Sequence, residues 1–284
     1  MIDIGPNSYG KSAIRLVRVD RHVTPHRVRD LTIEIRLDGE FASSYRDGDN
    51  STVIATDTMK NTAYALAGEH LTGSIEEYAL ALGTHFAEAE PAVQLATISI
   101  DEHAWRPIGN ASDAFARDGS ETRTAGVHVW RGGEKVWAGI DGLTVMKTTR
   151  SSFSGFPRDR FTTLAETDDR IMATRVSTEW TYGKAAEVDF DRSFEAIRST
   201  FLEVFADHDS PSVQASIWII GKAILERHPE VDAIDMTMPN LHHWTVDLSP
   251  FGIENDRQVY VSTSEPHGLI QATVRRSDLT TPRL

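Results

Sequence analysis

Two short stretches concentrate the residues that could do chemistry: Tyr9-Gly10-Lys11 and Ala55-Thr56-Asp57-Thr58-Met59-Lys60-Asn61-Thr62. The second follows an apolar run, Val53-Ile54-Ala55, and opens an amphipathic one. It reads as a strand-to-helix junction with Thr56 or Asp57 as the N-cap. Such a junction leaves backbone N–H groups unpaired and pointing outward, which suits an anionic ligand. A lysine and a threonine beside it could move protons with neither a metal nor an organic cofactor. On these segments alone the simpler reading is a pair of helix caps and a solvated strand lysine.

The bulk properties narrow the classes. A chain of 284 residues is long for one core and comfortable for two domains. Its 29 Lys+Arg against 42 Asp+Glu, a net −13, argue against a general nucleic-acid or anionic-membrane surface while leaving room for one basic pocket. With no cysteine, disulfides, thiolate metal sites and a cysteine nucleophile are excluded. His22 and His26 have helical ligand spacing, but Pro25 between them undermines a helix. His242 and His243 would point to opposite faces of a strand, so no metal is expected there either. No secretory pattern opens the chain, and no apolar run approaches the ~20 residues needed to span a bilayer. A cytoplasmic protein is expected, with Pro282-Arg283-Leu284 a loose echo of a peroxisomal tripeptide.

The elements that must position these residues recur in one order: strand, strand, helix, helix, strand, strand. In the first half, residues 13–19 and 31–37 read as strands; Leu31, Ile33, Ile35 and Leu37 alternate with polar neighbours. Helices are expected over 57–69 and 74–88, the second striped by Ile75, Tyr78, Leu82 and Phe86 and stopped by Pro91. Strands over 93–100 and 122–131 complete the unit. Gly132-Gly133 is a hairpin signal, and a boundary placed there gives units 1–132 and 133–284 within one continuous sheet. The second unit repeats the layout: strands over 136–148 and 171–182, a helix over 189–205, a second helix with Pro211 at its first position, and a strand over 231–238. The loops over 38–51 and 106–121 carry no readable pattern. Trp130, Trp137, Trp180 and Tyr182 cannot all lie under helices, so an uncovered sheet face and an obligate homo-oligomer are expected.

The stretch from Leu143 through Lys147-Thr148-Thr149-Arg150-Ser151-Ser152-Phe153, on through Phe156, Phe161 and Leu164 to Arg170, resembles the signature of the urate oxidase (uricase) family. Met146 stands where an aliphatic residue is usual. The other family blocks follow in order: Tyr9-Gly10-Lys11, residues 50–62, Ser210-Pro211-Ser212-Val213-Gln214, Pro239-Asn240-Leu241-His242 and Gly268-Leu269-Ile270. The resemblance implies the tunnelling fold: α+β, with two tandem units of four antiparallel strands and two helices on one face. These close a barrel in a homotetramer whose active sites lie between subunits.

It also implies cofactor-free oxidation of urate by dioxygen to 5-hydroxyisourate and hydrogen peroxide. Phe153 then stacks on the purine, Arg170 and Gln214 hold its pyrimidine edge, Val213 adds a backbone N–H, and Leu164 shapes the wall. An ion pair with Glu166, Asp168 or Asp169 is the alternative role for Arg170. Thr56 and the backbone of Asp57 meet the other edge from a neighbouring subunit. Lys11, hydrogen-bonded to Thr56, relays protons with Thr56 and His242, and Asn240 holds dioxygen or water above the ring. Two other classes compete: a pteridine hydrolase or aldolase of the same fold, against which the missing cysteines count, and a purine-binding homologue without activity.

Overall fold

The computed structural model describes residues 2–277, so Pro282-Arg283-Leu284 lies outside the described residues. The chain gathers into two compact units, Met1–Gly139 with Thr181–Arg192, and Ile140–Trp180 with Ser193–Leu284. Among the described residues no helix is long and apolar enough to cross a membrane.

The first unit is built on β1 (Ser8–Asp20), β2 (Arg27–Gly39), α1 (Ala42–Asp47), α2 (Thr56–His70), α3 (Ile75–Ala89) and β3 (Val93–Glu102). A small hairpin of β4 (Trp105–Pro107) and β5 (Phe115–Arg117) follows, then β6 (Thr122–Trp130) and the start of β7 (Gly133–Lys147). The strands lie in the order β1-β2-β3-β6-β7. Antiparallel register sets Ile35 opposite Ile98 and Ile98 opposite Val127, so one apolar row crosses three strands. On that row lies α3, which buries Ile75, Tyr78, Leu82 and Phe86. Its start is fixed by a capping box between Ser74 and Glu77. Two segments without a readable pattern do carry elements: α1 lies within 38–51, and the β4–β5 hairpin, which starts one residue earlier at Trp105, fills most of 106–121.

The second unit holds the rest of β7, all but the last two residues of β8 (Met172–Tyr182), all but the first three of α4 (Phe190–Asp207), α5 (Val213–Arg227), β9 (Val231–Thr237), β10 (Asn240–Thr245), β11 (Tyr260–Gly268) and β12 (Gln271–Arg275). Strand β8 pairs with both β9 and β10, which in turn pair with β12 and β11. Phe194, Ile197, Phe201 and Phe205 of α4 and Ile217, Ile220 and Ile224 of α5 form the core face. The four large aromatics divide. Trp180 lies 5.9 Å from Phe194 and Tyr182 5.2 Å from Phe190, and both are buried. Trp137 alternates with buried Val136 and Ala138 and so takes the opposite face, and Trp130 stays 42% exposed.

Candidate active site

Tyr9-Gly10-Lys11 owes its form to packing. The Tyr9 hydroxyl accepts a 2.8 Å hydrogen bond from the Ile54 N–H, tying β1 to the segment that leads into α2. A Cβ on Gly10 would lie 1.9 Å from the Ile35 carbonyl oxygen, so only glycine lets β1 and β2 approach there. Just past Lys11 the register slips by one residue in a β-bulge, with Ala13 at φ 55°. Helix α2 begins with Ala55 at the N-cap and no side-chain cap. Thr56 and Asp57 are therefore the first two helical residues, not caps. The reason lies in Asp57, whose carboxylate turns to Lys60 and to Asn61 (2.9 Å) instead of back to the helix N–H groups. Lys60, and more weakly Lys11, hold that carboxyl below the usual range. Lys11 and Asp57 thus share one electrostatic neighbourhood. No hydrogen bond joins Lys11 to Thr56 among the described residues.

In the second unit the connection 148–171 has no helix, but five backbone bonds shape it. Ser152 N–H donates to Ser210 O (2.8 Å) and Ser210 N–H to Arg150 O (2.9 Å). Phe153 and Thr167 exchange bonds of 2.8 and 3.1 Å. Arg170 N–H donates to Ser151 O (2.7 Å), which brings Arg170 beside Phe153. The guanidinium carbon then sits 5.3 Å from the Phe153 ring centroid, and Phe156 stacks on that ring at 5.0 Å. Lys147 and Arg150 face elsewhere. Lys147 donates to the His208 carbonyl, and Arg150 to those of Ala206 and Asp207 (3.0 Å to the latter), closing the C-terminal end of α4.

Ser210 pins this connection directly before α5. That helix is capped by Ser212, whose Oγ accepts from the Ala215 N–H (3.1 Å); Pro211 precedes the cap and is not the first helical residue. Val213 and Gln214 are therefore the first two helical residues, where N–H groups have no partner within the helix. Opposite them, Asn240 pairs with Thr174 of β8 and Gly268 of β11, and His242 with Thr263.

These elements enclose a cleft of about 810 Å³ lined by Phe153, Leu164, Arg170, Val213, Gln214, Asn240 and His242. All seven residues expected from the second half of the chain converge there. Lys11, Thr56 and Asp57 belong to the first unit and gather at the start of α2. Trp244, Arg257 and Tyr260 also line the cleft, and no local motif marks them in the sequence.

Two features set its chemistry. Arg170 has its Nε buried without a hydrogen-bond partner, and among the described residues no carboxylate stands within ion-pair distance of its guanidinium. Burial lowers its pKa from the ordinary value. Two of the three acidic neighbours are engaged otherwise: Glu166 accepts from the Gly155 N–H (3.0 Å), and Asp169 from the Thr149 hydroxyl (3.0 Å) and Arg257 (3.2 Å). No ion pair of Arg170 with Glu166, Asp168 or Asp169 forms among the described residues. His242 is held below the usual imidazole pKa by burial first, then by the charges of Arg170, His267 and His243. It is therefore neutral near pH 7 and able to accept a proton.

The uricase family model matches residues 7–128 and 136–271. The uricase of Arthrobacter globiformis is 43% identical over 273 residues, covering 96% of this chain and 90% of that one. The uricase of Dictyostelium discoideum is 38% identical over 279 residues, covering 95% and 96%. A crystal structure of uricase from Arthrobacter globiformis superposes with a TM-score of 0.96 at 42% identity, covering 100% of this chain and 98% of that one. With its blocks in order along both units and its fold matched over its whole length, this chain belongs to the uricase family.

Proposed function

We propose that the chain oxidises urate with dioxygen to 5-hydroxyisourate and hydrogen peroxide, in a site that a second copy of the chain completes. The observation that carries this is the half-buried guanidinium of Arg170, without a carboxylate partner and set over the Phe153 ring. A flat purine anion meets both needs at once: a ring to stack on and a charge to pair with. Gln214 and the N–H groups opening α5 extend the edge-on contact, Leu164 limits the wall, and Asn240 holds dioxygen or water over the ring.

Urate gives up two electrons and two protons, which leave as hydrogen peroxide, and a water supplies the hydroxyl at C5. A dianionic purine passes one electron directly to dioxygen, so the reaction as read here needs no metal and no organic cofactor. What it needs is a base for the second proton of urate and a group to orient the water. Lys11 with Thr56 serves as the base and relay, contributed together with the Asp57 backbone by the neighbouring copy, and neutral His242 orients the water. The two halves, 1–132 and 133–284, act on this reading as one repeated unit, and four copies close the barrel. Family membership gives no support to a pteridine hydrolase or aldolase.

The test is complementation. Lys11→Met and Arg170→Met variants, each purified alone, are expected to be nearly inactive. Co-assembled from a mixture, they regain a fraction of native oxygen uptake through sites that combine one intact half from each. Chelator in the assay is expected to leave turnover unchanged. No recovery in verified mixed assemblies would place both halves of the site within one copy.

A further inference from the structure

We propose that Arg257 is a positioning residue for the anion site: it neutralises and holds Asp169, so that Arg170 stays free for the substrate. The cleft that takes a urate anion is also lined by Asp168, Asp169 and Glu166, an acidic set poorly matched to that task. Asp169 immediately precedes Arg170 and faces the same cleft. Left alone, its carboxylate would repel the anion and compete for the guanidinium. Arg257 occupies it instead, donating through Nη2 to the Asp169 backbone carbonyl (2.6 Å) and to its carboxylate (3.2 Å). Thr149 takes the same carboxylate from the other side, at 3.0 and 3.1 Å.

The loop carrying Arg257 is built to present it. Asn255 donates through Nδ2 to the carbonyls of Val246 and Val259 (2.8 Å each), closing the base of the loop. Its Oδ1 accepts from the N–H groups of Gln258 and Val259 (3.0 Å each). At the turn Arg257 itself sits at φ 53°, in the left-handed region that a non-glycine residue adopts only when its surroundings hold it there. Such local strain in a residue whose side chain reaches 88 positions back along the chain marks a specific contact, not a random surface pair.

This rests on reading Arg170 as the anion anchor, and the experiment separates the two. Urate affinity is measured with oxygen excluded, and kcat and KM in air, on full-length Arg170→Met, Arg257→Asn, Arg257→Lys, Asp169→Asn and the Arg257→Asn/Asp169→Asn double variant. Asparagine tolerates the left-handed backbone, so Arg257→Asn removes the charge with little disturbance of the loop. The expected result is a loss of urate affinity of about 3- to 10-fold in Arg257→Asn, the scale of one partly exposed charge pair. It appears in KM with kcat nearly unchanged. Arg257→Lys recovers part of the loss, and the double variant returns to within about twofold of native because the carboxylate needing control is gone. If the double variant is as weak as Arg257→Asn, Arg257 does not act through Asp169. If Arg257→Asn binds normally, the proposal is equally overturned. In both cases Arg170→Met still reports on the anchor: normal affinity in that variant would instead overturn the reading on which the proposal rests.

Discussion

Replacing Arg170 by methionine should move affinity and stability in opposite directions. In the free protein the guanidinium carries its charge in a half-buried cleft with Nε sealed from solvent and unpartnered. An unsatisfied buried polar group costs about 1–3 kcal/mol. Because Arg170 is only partly buried, about 1 kcal/mol of that is recoverable by an apolar chain of similar length that packs on Phe153. For a protein of this size that gain corresponds to a rise of about 2–4 °C in Tm. On the other side, a bound urate anion loses two charge-assisted hydrogen bonds worth about 1.5–2 kcal/mol each. The total of about 3–4 kcal/mol weakens binding by roughly 200- to 1,000-fold. Thermal unfolding at matched protein concentration, with and without urate and with oxygen excluded, reads both effects in one experiment. The variant alone should melt higher than native, and urate should no longer shift it. Affinity within about threefold of native would refute the assignment of Arg170 as the anchor, and a lower Tm would refute the claim that its charge is held at a cost.

Three further outcomes follow from the same geometry. Lys11→Met should keep the fold and much of the urate binding while slowing turnover by about 10²-fold or more, the scale of a lost general base; unchanged oxygen uptake would remove Lys11 from the chemistry. Gly10→Ala forces a Cβ to within 1.9 Å of the Ile35 carbonyl oxygen. It should cost about 2–3 kcal/mol, seen as a lower denaturation midpoint, and a neutral result would mean that β1 can shift its register without penalty. His242 should titrate below 6.5 by NMR, and Arg170→Met should raise that value because the Arg170 charge is one of its causes. With the folded value depressed, the unfolded chain binds the proton first. The contribution of His242 to stability is therefore full above pH 6.5 and is lost as pH falls through the folded pKa.

The helices and long strands were legible because their apolar spacing is regular. The row Leu31, Ile33, Ile35 and Leu37 and the stripe Ile75, Tyr78, Leu82 and Phe86 are buried as their periods require. The short elements were not. The β4–β5 hairpin is three residues per strand and is held by side-chain bonds, among them Arg106 to Asp118 and Trp105 to Asp30, that leave no periodic trace. Capping failed as a guide at α2 because Asp57 had two donors within its own first turns and used them. At α5 the serine after Pro211, not the proline, sets the start.

The signature segment shows why a linear motif identifies a site without explaining it. Phe153 and Arg170 line the cleft, whereas Lys147 and Arg150 turn away and satisfy the last carbonyls of α4. In sequence nothing local separates the three cations, Lys147, Arg150 and Arg170. Which cation is left unpaired in the cleft is decided by which carbonyls and carboxylates have already claimed the others. Arg150 is taken by α4, and Arg257 by Asp169. Arg170 is left over: Glu166 and Asp169 found donors in Gly155, Thr149 and Arg257, and no carboxylate among the described residues reaches its guanidinium. A free charge is thus a property of the whole hydrogen-bond assignment of the unit. It follows that distant changes at Thr149 or Asn255, neither of them beside the purine stack, should tune urate affinity by releasing Asp169, while changes at Lys147 or Arg150 should act first on the stability of α4.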